Sequence, residues 1–131
     1  SKEQHARKNT DKESLVNAVL SGRDIVTYQS LVRQVYVHEE LMVYIARIVD
    51  STRNNANLIL GASPRASIAI LESAKAFAAM SGRDFITPED IKMVAYPVLG
   101  HRVMLAPERE MEGFDAAKII HQIIDMVEIP R

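Results

Sequence analysis

Residues 58–105, LILGASPRASIAILESAKAFAAMSGRDFITPEDIKMVAYPVLGHRVML, decide the fold of this protein. Ser63-Pro64 predicts a helix start, because serine accepts hydrogen bonds from unpaired helix amides and proline has no amide to lose. The alanine-rich run that follows predicts a thin, central helix that ends at Ser81-Gly82. Thr87-Pro88 repeats the start signal, with Asp90 at the position of a capping-box acid. This stretch therefore predicts two consecutive helices.

Apolar residues at helical spacing flank this stretch on both sides. Residues 38–54, HEELMVYIARIVDSTRN, predict an amphipathic helix. A further helix is expected to start near Asp115. The two apolar stripes consist of Leu41, Tyr44, Ile45, Ile48 and Val49 and of Ile119, Ile120, Ile123, Ile124 and Val127. The fold class expected is all-α, a small helical bundle with at most a minor short strand pair.

Finer local signals complete the predicted layout. Residues 1–12 are expected to be a polar lead-in that is free to fray, and residues 13–131 to form one domain. The helix after Pro88 should end near Tyr96-Pro97, because the residue before proline is pushed out of helical geometry. Residues 101–105 are a candidate extended piece.

An internal echo relates two segments of the chain. SGRDIVT at 21–27 reappears as SGRDFIT at 81–87. We predict the same local structure in both copies, namely a glycine helix cap, one extended apolar pair and a threonine that caps the next helix. The two apolar pairs are candidates for a tiny two-stranded contact.

Composition excludes several functional classes. The chain has 131 residues, 47% of them apolar and 25% charged, which is the balance of a single globular domain. It contains no cysteine, which excludes disulfides, thiolate zinc sites and cysteine catalysis. The net charge of -1 gives no global field that favours nucleic acid or an anionic membrane. No apolar run approaches the ~20 residues of a membrane span, and the amino terminus is unlike a signal peptide.

Complete catalytic motifs are missing from the sequence. No Gly-Lys pair is present for a phosphate-binding loop. His38-Glu39-Glu40 resembles the start of a zinc-protease motif, but Met42 stands where the second histidine is needed, and no metal site is predicted. We therefore expect this chain by itself not to be catalytic.

Arg65 is the most informative charged residue. Proline at the first helical position puts it beside free amides at the positive end of the helix dipole, where stability alone would favour an acid. Two interpretations are open. In the first, Arg65 is an anion-binding group, since a guanidinium fork and helix amides both favour negative charge. In the second, Arg65 is a solvent-facing residue that tolerates a small electrostatic penalty at the helix start.

Five ordered features of this chain resemble the carboxy-terminal helical lid of MoxR-family AAA+ ATPases. They are Gly-Ala-Ser-Pro-Arg-Ala at 61–66, the alanine-rich helix, Gly-Arg-Asp-Phe at 82–85, Thr-Pro-Glu-Asp-Ile at 87–91, and Val-Leu-x-His-Arg at 98–102 with Gly100 at the third position. The resemblance covers about residues 13–130. The Walker A and B motifs and the arginine finger of that family lie on an α/β domain that this chain lacks, so the resemblance implies a lid separated from its ATPase core.

The resemblance also implies roles for individual residues. Arg65 takes the sensor-2 role, catalytic only together with the missing core, in which it reaches the γ-phosphate of ATP. Ala62, Ser63 and Pro64 are implied to line the nucleotide, and Mg²⁺ would be held by the missing core. His101-Arg102 matches the family pattern without a role that can be derived from the residues.

The family resemblance also implies partners, which belong to a larger protein assembly. They are the ATPase core of the parent chain, the neighbouring subunits of a hexameric ring, and client proteins with von Willebrand A domains that a bacterial, cytoplasmic chaperone remodels. Neither nucleic acid nor membrane is expected as a partner.

The alternative hypothesis is a free-standing helical module, histone-fold-like, for protein interaction or DNA binding. A Gly-x-x-x-x-Gly-Lys-Ser/Thr motif upstream of Ser1 in the parent reading frame would decide for the lid.

Overall fold

The computed structural model describes residues 21–60 and 64–131. The polar lead-in predicted for residues 1–12 and the helix-cap prediction at Ser63 lie outside these described residues. The chain divides into two compact units, residues 1–30 and residues 31–131.

Six helices and one pair of short strands make up the described part of the chain, which confirms the all-α prediction. In chain order the elements are α1 (Gly22–Arg33), α2 (Glu39–Arg53), β1 (Leu58–Leu60), α3 (Pro64–Met80), α4 (Pro88–Gly100), β2 (Met104–Leu105), α5 (Pro107–Met111) and α6 (Ala116–Met126). The strands are antiparallel, with Leu58 opposite Leu105 and Leu60 opposite Met104.

The first copy of the echo, in the unit of residues 1–30, is helical, so the extended pair predicted there is wrong. The hydroxyl of Ser21 accepts from the Asp24 amide at 3.1 Å, and the Asp24 carboxylate accepts from the Ser21 amide at 3.0 Å. This reciprocal capping starts α1 at Gly22. Thr27 lies inside that helix and donates to the carbonyl of Arg23 at 2.9 Å instead of capping a new one.

The core of residues 31–131 is built from the predicted apolar stripes. Helix α3 buries one face at every fourth residue, Ala66, Ile70, Ala74 and Ala78, and packs against both α2 and α4. The α2 stripe is buried over its whole length, and the four isoleucines of α6 are buried as predicted. Small alanine side chains let the helix axes approach closely, which explains the central position of α3.

The second copy of the echo adopts the predicted arrangement of glycine cap, extended apolar pair and capping threonine. Gly82 has a positive φ of 75°, which glycine accepts without strain, and Thr87 caps α4. The extended Phe85 pairs with Tyr36. Because the first copy is helical, the two-stranded contact predicted between the two copies is wrong. The Tyr36 amide donates to the carbonyl of Asp84 at 2.7 Å, and the Ile86 amide donates to that of Tyr36 at 3.1 Å.

Helix α4 continues through Pro97 to Gly100, so the predicted end at Tyr96-Pro97 is wrong. Pro97 is exposed, whereas Ala95 and Leu99 are completely buried on either side of it. Burial of these side chains outweighs the local preference against a helix at a residue that precedes proline. The extended piece predicted for residues 101–105 is confirmed only for residues 104–105, which form β2, whereas residues 101–102 form a turn.

Candidate functional site

The amino-terminal turn of α3 forms the candidate site. Pro64 is the first residue of the helix, and Arg65 follows it with an exposed side chain. The first turn of α3 contains no acidic residue. The positive end of the helix dipole and the guanidinium therefore act in the same direction, and the turn is electrostatically suited to an anion.

Arg65 differs from two other arginines in what it touches. Arg83 and Arg109 bind the carboxylates of Asp90 and Glu112. Within residues 21–60 and 64–131, Arg65 forms neither a salt bridge nor a side-chain hydrogen bond. Its five N–H donors therefore face solvent and are available to an external acceptor.

The structure describes part of the predicted nucleotide-lining set. Pro64 is exposed beside Arg65, so these two predicted residues are neighbours at the helix start. Ala62 and Ser63 lie outside the described residues, and their roles stay predictions.

His101 and Arg102 connect α4 to β2, and both are exposed. Because the strands are antiparallel and Leu60 is opposite Met104, residues 101–103 enter β2 at the end of the sheet where β1 leaves toward α3. The fold therefore brings this His-Arg pair and the start of α3 to the same end of the two-stranded sheet.

Sequence reasoning missed one ion pair near α4. It identified Asp90 as a capping acid, and the capping box is present: Asp90 accepts from the Thr87 amide at 2.8 Å. It did not identify Arg83 as the partner of Asp90, at 2.6 and 2.7 Å. The signal available was a cation just after a glycine cap and seven residues before a capping acid, and that spacing alone does not specify contact.

The described part of the chain shows neither a metal-ligand cluster nor a membrane-spanning helix. Among residues 21–60 and 64–131, no group of three or more histidine, aspartate or glutamate side chains could hold a metal ion. None of the helices described there has both the length and the apolar character needed to cross a membrane.

Comparisons with known proteins identify the family of this chain. Residues 50–123 match the AAA lid domain family. The chain is 38% identical to the uncharacterized protein YeaC of Bacillus subtilis over 86% of its own length and 35% of YeaC. It is 30% identical to the Chaperone MoxR1 of Mycobacterium tuberculosis over 86% of its own length and 32% of that protein. The chain thus spans about a third of the length of these relatives.

A solved structure has the same fold. The crystal structure of a "putative ATPase" from Cytophaga hutchinsonii superposes with a TM-score of 0.83 and 36% sequence identity, over 88% of this chain and 38% of that one. The chain therefore belongs to the AAA lid domain family and is a lid domain of the MoxR type.

Proposed function

We propose that this chain is the nucleotide-responsive lid of a MoxR-type AAA+ ATPase, and that Arg65 is its sensor-2 residue. In this proposal Arg65 binds the terminal phosphate of ATP that is held by an ATPase core outside the present sequence. The exposed guanidinium in the first turn of α3, which has no partner among the described residues, is the observation that carries the proposal.

The chemistry of the site fits a phosphate group. A guanidinium offers paired N–H donors in the plane that two phosphate oxygens require, and the α3 amino terminus adds a favourable dipole. ATP, when bound, supplies the terminal phosphate that ADP lacks. A lid that contacts this phosphate through Arg65 binds the two nucleotides with different free energies, and such a difference is what shifts a lid between positions.

Other residues have supporting roles in the proposal. Ala62, Ser63 and Pro64 would line the nucleotide next to Arg65. Mg²⁺ would be held by the core. His101 and Arg102 approach the same end of the sheet as the start of α3, but the proposal does not require them to contact the nucleotide.

The wider setting of the proposal follows from the relatives. Because one relative is named a chaperone and another an ATPase, we propose that ATP hydrolysis by the full protein remodels or matures partner proteins. The lid would act within a hexameric ring in the cytoplasm, against its own core and neighbouring subunits, on clients with von Willebrand A domains. The family match favours this hypothesis over a free-standing histone-fold-like or DNA-binding module.

The test uses the full-length protein that carries this lid. Arg65→Ala should lower steady-state ATP turnover by about a hundred-fold and reduce the preference for ATP over ADP, as expected for a lost charge-stabilising contact. Arg65→Lys should recover only part of the loss, because an ammonium cannot form two parallel hydrogen bonds.

Arg47→Ala is the matched control, since Arg47 is an exposed arginine on α2, outside the candidate site. It should retain wild-type turnover and nucleotide preference. If Arg65→Ala behaved like this control, Arg65 would be an ordinary surface residue and the proposed sensing role would be wrong.

A further inference from the structure

The distribution of methionine in this chain is unusual. All six methionines of the sequence lie in the described residues, and all six are exposed, from 50% for Met42 to 89% for Met111. Methionine ordinarily ranks among the residues most often buried in proteins. The absence of methionine from the interior of this chain therefore departs from its usual distribution.

The core is formed without any thioether. Its side chains are isoleucine, leucine, valine, alanine and one tyrosine, and no methionine belongs even to the partly buried layer packed against it. Three methionines, Met80, Met111 and Met126, are the last residues of their helices. The packing of residues 31–131 thus does not depend on a methionine side chain.

An exposed thioether has a defined reaction with peroxides. The sulfur attacks one peroxide oxygen, an S–O bond forms as the O–O bond breaks, and the second oxygen leaves as water. The sulfur loses two electrons, and the peroxide is reduced by the same two electrons. The sulfoxide formed is polar, and thiol-dependent reductases return it to the thioether.

We propose that the six methionines form an oxidant-consuming surface, a set of sites for reversible sulfoxidation by peroxides that leaves the helical core folded. Sulfoxidation damages a protein when the new oxygen must be accommodated in an apolar interior. Here every methionine is exposed, so water can solvate the new oxygen and the surface becomes more polar while the core packing is retained. This inference is independent of the proposed nucleotide sensing.

Exposure also sets the order of reaction. Met111 and Met126 are 89% and 86% exposed, whereas Met42 and Met93 are 50% and 57% exposed. The sulfurs of Met111 and Met126 should therefore react first, and those of Met42 and Met93 last.

The test is treatment of the purified chain with hydrogen peroxide, followed by mass spectrometry of its peptides over time and thermal unfolding by circular dichroism. All six methionines should gain about 16 Da each, in the order given above. The fully oxidised chain should melt within about 5 °C of the untreated one, because surface changes rarely alter stability much.

Leu99→Met provides an internal control. Leu99 is completely buried, and leucine and methionine have similar volumes, so the variant should fold. The sulfur introduced there should react at least ~10-fold more slowly than Met111, because oxidation at a buried site requires local opening. In concentrated urea the six native sulfurs of the wild-type chain should react at similar rates, a comparison that does not depend on the variant.

Two results would overturn the proposal. One is protection of any native methionine in the folded chain to the degree seen for the sulfur at position 99. The other is a fall in melting temperature of more than about 10 °C on full oxidation, which would show that the fold does rely on a methionine side chain.

Discussion

The guanidinium of Arg83 holds the carboxylate of Asp90 with two parallel hydrogen bonds, of 2.6 and 2.7 Å, across the turn between α3 and α4. Arg83 also donates to the carbonyl of Phe85 at 3.1 Å, and Asp90 also accepts from the Thr87 amide at 2.8 Å. Side chain and backbone therefore fix this turn together. Because the Asp90 side chain is only 3% exposed, its charge depends on these donors for solvation.

Arg83→Ala should destabilise the chain by about 2–3 kcal/mol, because it leaves a buried carboxylate without its cation. Arg109→Ala is a matched control. Arg109 also binds a carboxylate, that of Glu112 at 2.9 Å, and its guanidinium lies over the ring of Phe114. Both members of the Arg109–Glu112 pair are exposed, so the loss of Arg109 should cost about 0.5 kcal/mol or less. Urea unfolding at pH 7 measures both values, and equal losses would contradict the role of burial.

The same carboxylate should make stability depend on pH. Burial by itself would raise the pKa of Asp90, but hydrogen bonds from Arg83 and Thr87 outweigh it and hold that pKa below its ordinary value. A lowered pKa in the folded state stabilises the protein above the unfolded pKa of about 4, and this stability is lost as the pH falls through the folded value.

Asp90→Asn isolates this contribution. Wild type should be more stable than the variant by a constant amount above about pH 5, and the difference should shrink below about pH 4. The Asp24 carboxylate, whose pKa is lowered by hydrogen bonds from Ser21, contributes equally to both proteins and cancels. Unfolding free energies measured at intervals from pH 7 to pH 2 test this, and a difference that widened in acid would contradict it.

Tyr44→Phe should leave stability unchanged or raise it by up to about 1 kcal/mol. The Tyr44 side chain is completely buried, and its hydroxyl has no hydrogen-bond partner among the described residues. Burial is also the main cause of the raised pKa of this phenol. Removing the hydroxyl keeps the packed ring and deletes an unsatisfied polar group. Thermal melts decide the matter, and a loss above 1 kcal/mol would reveal a partner for the hydroxyl.

Arg65→Glu should stabilise the chain by about 0.3–1 kcal/mol, because an acid in the first turn of α3 complements the helix dipole. The same change should abolish nucleotide discrimination in the full-length protein if Arg65 binds phosphate. Melting temperatures of the chain and ATPase assays of the full-length protein provide the two readouts. A destabilised Arg65→Glu variant would show that Arg65 makes a packing contribution.

The chain alone should neither hydrolyse ATP nor bind it with micromolar affinity. One exposed arginine supplies only part of a phosphate-binding shell, and single exposed ionic contacts contribute about 1 kcal/mol or less in water. Isothermal titration calorimetry with ATP checks this directly. A micromolar dissociation constant would demonstrate a more complete site within the chain.

Much of the candidate site was predictable from the residues next to it. Proline at the start of α3 places Arg65 in the first turn whatever the rest of the chain does, since capping and proline geometry act within a few residues. The matching of Asp90 with Thr87 was predictable for the same reason. That the Arg65 guanidinium pairs with no acidic side chain of the described residues could not be predicted, because it depends on which side chains other elements bring near it.

Sequence alone was enough to predict the all-α class, the apolar stripes of α2 and α6, the alanine-rich α3, the helix starts at Pro64 and Pro88, and a helix start near Asp115. These features follow from helical periodicity and capping, which are local. Tertiary contacts explain why SGRD starts a helix at residue 21 but forms a turn at residue 81, where Phe85 pairs with Tyr36. Tertiary structure also carried α4 through Pro97, because burial of Ala95 and Leu99 outweighs a local preference. Identical short segments diverge because their conformations depend on distant residues that become neighbours only in the folded chain.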